Sequence, residues 1–281
     1  MNIKSFQDPS QFAREAAPLL MAQEAENNLP LGIMHRLQED PAAVEDVSML
    51  VLYDEEERPV YLTLRTPPHL WILPSVTSVT RQQVCFLTEY LRTEAHEVPG
   101  ILGEENAVQW FLERWQELTG QETALQMHQG IYRLDKLEEI REGEGKLILA
   151  ASGQEKLVAK WLEQFSIETN TPAPQDSEQQ AKEMIDAERV YLWKKGEEFV
   201  SMVCRARTTP HGATVNGVFT PDQFKKQGYA SQAVWQLSNL LLREGFSFCA
   251  LYTDLANPTS NSIYKKIGYQ WIGNSKVYHF N

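Results

Sequence analysis

Cysteine is scarce: Cys85, Cys204 and Cys249 are the three in 281 residues. They stand far apart, odd in number and without metal-ligand spacing, which argues against a disulfide framework and fits reduced thiols. No window approaches the ~18 consecutive apolar residues of a membrane-crossing helix. The opening MNIKSFQDPSQFAREAAPLL carries acids and lacks an apolar stretch followed by a small-residue cleavage site. It does not read as a signal peptide, so the expectation is a cytoplasmic protein with no membrane partner. Also missing are His-Glu-x-x-His, Cys-x-x-Cys, Gly-x-x-x-x-Gly-Lys-Ser/Thr and Gly-x-Ser-x-Gly. Their absence removes the usual signatures of metalloproteases, thiol sites, P-loops and hydrolase nucleophiles, and no metal ligand set is expected.

Charge of one sign is short in most of the chain. Residues 1–125 hold 8 basic and 20 acidic side chains, and residues 126–188 hold 7 and 13. Residues 189–281 reverse the balance, with 11 basic and 5 acidic, against a net charge of −12 overall. A basic C-terminal part suggests a bound anion there. The acidic remainder argues against nucleic acid, which needs a basic face.

What is there is an alternation of helical and extended patterns. The N-terminal part reads as a helix over Pro9–Glu26, a second near Leu31–Leu37, and a strand at Val47–Tyr53. The turn Asp54–Arg58 makes a hairpin with Val60–Arg65, and His69–Leu73 is a third short strand. Val84, Leu87 and Leu91 share a face of a helix over Thr80–Ala95, with Thr80 as its cap. A short extended piece at Val98–Leu102 precedes a helix over Glu104–Thr119 that ends at Gly120, and residues 124–134 are extended. The C-terminal part repeats the order. A strand at Lys146–Ala151, helices at Glu155–Phe165 and Asp176–Ala187, and a hairpin of Val190–Trp193 with Phe199–Arg207 come first, with a loop at Thr169–Gln175 between the helices. Then come a strand at Ala213–Thr220, a helix at Gly228–Glu244, a strand at Phe246–Thr253, a helix at Pro258–Ile267 and a strand at Tyr269–Phe280. The repetition is of elements, not residues. It implies two tandem α/β (α+β) units, divided into 1–135 and 136–281; one larger mixed domain is the other reading.

Two segments carry chemistry. In the first, Gly217, Val218 and Phe219 end a strand, Lys225, Lys226 and Gln227 lie in a loop, and Gly228, Tyr229, Ala230 and Ser231 open an amphipathic helix. The first turn of a helix has unpaired N–H groups and the positive end of the dipole. Gly228 and Ala230 have almost no side chain, so a pyrophosphate could approach those groups closely. In the second, Asp254 ends a strand, Asn257 and Pro258 suit the cap and first position of a helix, Asn261 and Tyr264 follow, and Gly268 stops it.

Together the segments resemble the GNAT superfamily of N-acetyltransferases. Its Gln/Arg-x-x-Gly-x-Gly/Ala signature is occupied by Lys225 to Ala230, with Lys225 where the family has Gln or Arg. Its Asn, then Tyr seven residues on, then Gly and an aromatic, is met by Asn257, Tyr264, Gly268 and Tyr269. The resemblance covers residues 145–281. It implies two GNAT-like units, each a mixed, mostly antiparallel twisted sheet flanked by helices, with acetyl-CoA as cofactor. It implies that Gly217, Val218 and Phe219 hold the pantetheine, that the pyrophosphate sits on residues Lys225 to Ser231, that Asn257 and Asn261 face the cofactor arm, and that Tyr264 protonates the leaving thiolate.

A general base is less legible. Asp254 is one choice, and a turn acid before the helix is an equal reading of it. A lone loop histidine such as His211 is more often solvated. Arg205 and Arg207 alternate on a strand and are expected to share a face, lining the cleft or meeting solvent. The N-terminal half has Pro74 to Thr80 after its third strand and no Gly-x-Gly/Ala, so it is expected to lack the cofactor loop and to shape the acceptor pocket or support the other half. The expected function is acetyl transfer to a primary amine of a small molecule, by a monomer or homodimer. The alternative from another class is a non-catalytic acetyl-CoA sensor or interaction module.

Overall fold

The computed structural model describes residues 1–40, 46–171 and 174–280. Residues 172 and 173, in the loop expected over Thr169–Gln175, lie outside the described residues. The chain forms two compact units: Met1–Ile131 with Thr253–Asn257 and Trp271–Asn281, and Tyr132–Tyr252 with Pro258–Gln270.

The first unit contains β1 (Asn2–Phe6), α1 (Pro9–Met21), α2 (Asn28–Glu39), β2 (Ser48–Tyr53), β3 (Pro59–Arg65), β4 (Trp71–Leu73), α3 (Arg81–Thr93), β5 (Gly100–Glu104), α4 (Glu105–Thr119), and most of β6 (Thr123–Leu134) and of β12 (Gln270–Phe280). Its strands run in the order β1-β2-β3-β4-β5-β12-β6. The single helix read over Pro9–Glu26 stops at Met21 because Asn27 turns the chain: its amide donates to Leu20 O at 3.0 Å and to Ser75 O at 2.7 Å. β1 is a strand with no signal in its own residues. It exists because it lies antiparallel to β2, Asn2 opposite Tyr53 and Phe6 opposite Met49.

The last strand, β12, takes its register from β5, with Ser275 opposite Glu104 and His279 opposite Gly100. Its Phe280 stacks on Trp115 at 5.7 Å and lies 6.4 Å from Phe111. One core lies under α3 and α4 around Trp71, Val108 and Phe111, and another under α1 and α2 around Phe12, Leu20 and Met49. Each fully buried Leu or Phe of such a core contributes about 1.5–3 kcal/mol.

The second unit contains β7 (Lys146–Leu149), α5 (Glu155–Thr169), α6 (Ser177–Asp186), β8 (Val190–Lys195), β9 (Glu198–Thr208), β10 (Gly212–Phe219), α7 (Tyr229–Arg243), most of β11 (Phe248–Asp254) and α8 (Pro258–Ile267). Strand order is β11-β10-β9-β8-β7. All neighbours are antiparallel except β10 and β11, which are parallel. β8 shows how the sheet serves two cores. Tyr191 and Trp193 join the core under α7 and α8, while Val190 and Leu192 join the core under α5 and α6, as period-two alternation requires. Both units are thus mixed, mostly antiparallel sheets flanked by helices, as expected from the sequence.

Candidate functional site

The site begins where two strands part. β10 and β11 pair only at their starts, Gly212, Ala213 and Thr214 against Phe248, Cys249 and Ala250. β10 then runs on to Phe219 and β11 to Asp254. Beyond Thr214 and Ala250 the backbone groups of the two strands are not used in a shared ladder, and buried backbone groups seek partners.

A bulge opens β10 further. The register against β9 shifts between Asn216 and Phe219, and Gly217 takes φ 57°. A Cβ there would meet Cys204 Sγ at 2.9 Å, so both conformation and space call for glycine. The bulge turns the backbone at Gly217 and Val218 out of the antiparallel pattern. Phe219 returns to it: its carbonyl accepts from Ser201 Oγ at 2.9 Å, and its ring lies 6.1 Å from that of Trp161 in the core.

After β10 a single 3-10 turn, Asp222–Phe224, leads to two left-handed residues, Lys226 (φ 63°) and Gly228 (φ 85°). Gly228 is the cap of α7 and, among the described residues, no side chain caps this helix. The first intrahelical bond runs from Gln232 N to Gly228 O. The N–H groups of Tyr229, Ala230 and Ser231 therefore point outward unsatisfied at the positive end of a 15-residue helix. A Cβ on Gly228 would meet nothing within 4 Å, so the space above these groups is open. Gln227 is held by accepting from the Tyr229 hydroxyl at 3.0 Å.

Lys225 contributes less field than its charge suggests. Its ammonium lies 2.6 Å from Glu168 and 2.7 Å from Asp222, and these hydrogen bonds hold its pKa above the ordinary lysine value. Glu168, near the end of α5, is a partner that no local motif announces. Lys226 is exposed.

Asn261 and Tyr264 lie three apart on α8, and both are buried, as helical spacing allows. Tyr264 packs edge-on to Tyr269, ring centroids 6.0 Å apart, and burial pushes its hydroxyl up to about 12. Tyr269 in turn shares a 2.9 Å hydrogen bond with Ser238 Oγ of α7. Asp254, the last residue of β11, and Asn257, after the turn that follows it, belong to the first unit. There the Asp254 carboxylate accepts from Ala256 N at 2.9 Å and its carbonyl from Asn257 N at 3.0 Å, the geometry of a turn-forming acid.

A cavity of about 240 Å³ adjoins the bulge, lined by Leu162, Phe165, Met184, Gln180, Asn216 and Gly217 among others. Among the described residues no charged side chain lines it. Cys204 is on its wall, and burial pushes that thiol up to about 12, which leaves it protonated and unfit as a nucleophile. This pocket was not legible from sequence, because its walls come from two helices and two strands. Among the described residues no group of three His, Cys, Asp or Glu side chains could hold a metal ion, and no helix is long and apolar enough to cross a membrane.

With this geometry in view, the class is clear: the fold is that of the GNAT acetyltransferases. An acetyltransferase of the GNAT family from Colwellia psychrerythraea superposes with TM-score 0.62 at 12% identity, covering 100% of this chain and 99% of that one. A GCN5-related N-acetyltransferase from Sphaerobacter thermophilus gives 0.63 at 13%, covering 99% and 95%. A Drosophila protein gives 0.68 at 10%, covering 99% and 98%. The family model described as FR47-like protein matches residues 196–278, from the β8–β9 turn through α8 and into β12. No curated protein matches the sequence.

Proposed function

We propose that this chain is an acetyl-CoA-dependent N-acetyltransferase that acylates a primary amine of a small molecule by direct attack. The observation that carries the reading is the pairing of an uncapped α7 N-terminus with the opening between β10 and β11. The N–H groups of Tyr229, Ala230 and Ser231, unspent in the helix, would hold the pyrophosphate. The backbone of Gly217 and Val218, freed by the bulge, would hold the pantetheine and the thioester oxygen. Acetyl-CoA, when bound, supplies an activated acyl group. Tyr264 keeps its proton through neutral pH because burial raises its hydroxyl, the state a general acid needs before a thiolate departs. The thiol of Cys204 is held protonated, which favours direct attack by the amine over an acyl-enzyme. Asp254 would accept the proton from the amine; its carboxylate also accepts from Ala256 N at 2.9 Å.

The test is acetyl-CoA binding by calorimetry for the wild type and Gly228→Glu, followed by thiol release with a panel of amines. Micromolar binding lost in Gly228→Glu, with amine-dependent thiol release in the wild type, is the expected result. Binding without release from any amine would leave a sensor. No binding by the wild type would overturn the reading.

A further inference from the structure

The cavity beside the bulge is walled by the uncharged faces of two charged helices. On α5, Glu163 and Glu168 are exposed, while Leu162, Phe165 and Ser166, spaced three and four residues apart, line the cavity. On α6, Glu178, Lys182 and Glu183 are exposed, while Gln180 and Met184, four apart, line it. Cys204 of β9 and Asn216 of β10 are opposite each other in the sheet and form part of the wall. Glu168, the acid of α5 that follows Ser166, is already held by Lys225 at 2.6 Å.

The lining is graded from inside to outside. Leu162, Ser166 and Cys204 are buried, whereas Gln180 and Asn216 are exposed. An occupant therefore meets mostly apolar wall at depth and uncharged polar groups toward solvent. The volume of about 240 Å³ exceeds the ~150 Å³ that takes benzene, and in proportion holds about ten non-hydrogen atoms. A charge carried into such a lining would find no opposite charge among the described residues, and an unpaired charge away from water is costly.

Gly217 belongs to both the cavity and the bulge. It is part of the cavity wall, and its backbone is the one assigned above to the pantetheine and the thioester oxygen. A molecule seated in the cavity thus has one end beside that backbone. Asn216, next to Gly217 in the chain and also in the wall, carries an amide oxygen that can accept from an amine N–H.

We propose that this cavity receives the acceptor, and that the acceptor is an amine whose remaining part is apolar, uncharged and about ten non-hydrogen atoms in size. Phenylalkylamines and medium-length alkylamines are of this class. Amino acids and polyamines are not, because each brings a second charge. The proposal rests on the N-acetyltransferase reading given above. An N–C bond forms, the C–S bond of the thioester breaks, and the proton count balances as the amine loses one proton and the thiolate gains one. Ser166 and Met184 act as specificity residues, setting the length of the acceptor from opposite helices, and do not touch the reacting atoms.

The test uses the full chain, wild type and Ser166→Leu and Met184→Ala. Thiol release from acetyl-CoA is followed with alkylamines of increasing length, phenylalkylamines, amino acids and diamines. Binding of the same amines is measured by ligand-observed NMR with and without coenzyme A. In the wild type kcat/KM should rise about threefold or more with each added methylene and fall once the amine exceeds about ten non-hydrogen atoms. Diamines and amino acids of equal length should be poorer by about 10-fold or more. Ser166→Leu, which adds bulk to the wall, should shift the best acceptor shorter by about two carbons, and Met184→Ala should shift it longer by about as much. Acetyl-CoA affinity should stay within about twofold in both, as expected of residues that do not hold the cofactor. A flat length profile, a preference for the charged acceptors, or an optimum that stays in place in both variants would overturn the proposal. So would a length dependence that follows the acyl group across a series of acyl-CoA thioesters and not the amine, since the cavity would then hold the acyl chain. An equal loss with every amine, together with a lowered Tm in both variants, would assign the two residues to support and overturn it as well. Loss of acetyl-CoA binding in the wild type would instead strike the transferase reading. The NMR arm without coenzyme A would still decide whether apolar amines enter the cavity, because Ser166→Leu should then release the longer ones first.

Discussion

The two units follow the same order of elements and differ where chemistry would happen. In the first, β4 and β5 pair over all three residues of β4, Trp71, Ile72 and Leu73 against Ile101, Leu102 and Gly103. The chain then enters Ser75, whose N–H is taken by Asn27 Oδ1 at 2.9 Å and whose carbonyl is taken by the Asn27 amide at 2.7 Å. The helix beyond, α3, is closed by a capping box of Thr80 and Gln83. In the second unit the parallel strands separate after three pairs, the loop carries two left-handed residues, and α7 starts on an uncapped glycine. In the first unit the protein satisfies this polar backbone itself; in the second the same backbone is left open, and it is there that we propose a ligand binds.

The comparison can be broken by experiment, and the largest effect belongs to the open helix. Gly228→Glu places a carboxylate over the free N–H groups and should weaken acetyl-CoA binding by about 100-fold or more, as like charge at an anion site does. Gly228→Asn, which tolerates the left-handed conformation, should retain most of the affinity and shows whether charge or strain is responsible. Next is Tyr264→Phe, which should lower kcat by about 100-fold with acetyl-CoA affinity kept, the usual weight of one general acid. Since burial lifts Tyr264 from 10.0 to about 12, its neutral donor form persists as pH rises. The kcat profile should show no alkaline loss from this group until pH approaches 12. The stability tied to its neutral form is full below pH 10 and is lost as pH rises toward 12.

Smaller effects probe the first unit. Arg65→Met removes three internal hydrogen bonds from a buried side chain and should cost about 2–3 kcal/mol in denaturant unfolding, with acetyl-CoA binding intact. Thr80→Ala opens the α3 cap and should cost about 1 kcal/mol. If Thr80→Ala created measurable anion binding in the first unit, capping alone would separate the units, and the opening of the strands would matter less. The smallest change is expected at Lys225. Its charge is already compensated by Glu168 and Asp222, so Lys225→Ala should alter the acetyl-CoA Kd by less than about threefold, in the range of an exposed ion pair.

Much of this was readable in order along the chain. Thr80 and Gly120 marked helix boundaries where the structure has them. The GNAT resemblance pointed to Gly217, the stretch Lys225 to Ser231, Asn261 and Tyr264 as site residues; the helix that opens after Gly228 is itself a local signal, because caps and glycines act within a few residues. Asn27 was not read as a helix breaker, since its reach to Ser75 spans residues far apart in the chain. β1 was missed for the same reason: five half-exposed residues become a strand only when β2 is beside them.

By itself the sequence determined the order of elements, the helix that opens on Gly228 and the tyrosine two turns beyond Asn257, all consequences of local geometry. Tertiary structure decided the rest. It assigned the last strand to β5, tied Lys225 to Glu168, and turned Arg207 away from Arg205 through a bulge. A one-residue slip in register sends a side chain to the other face of a sheet, and register is set by the neighbouring strand, not by the residue's own surroundings in the chain.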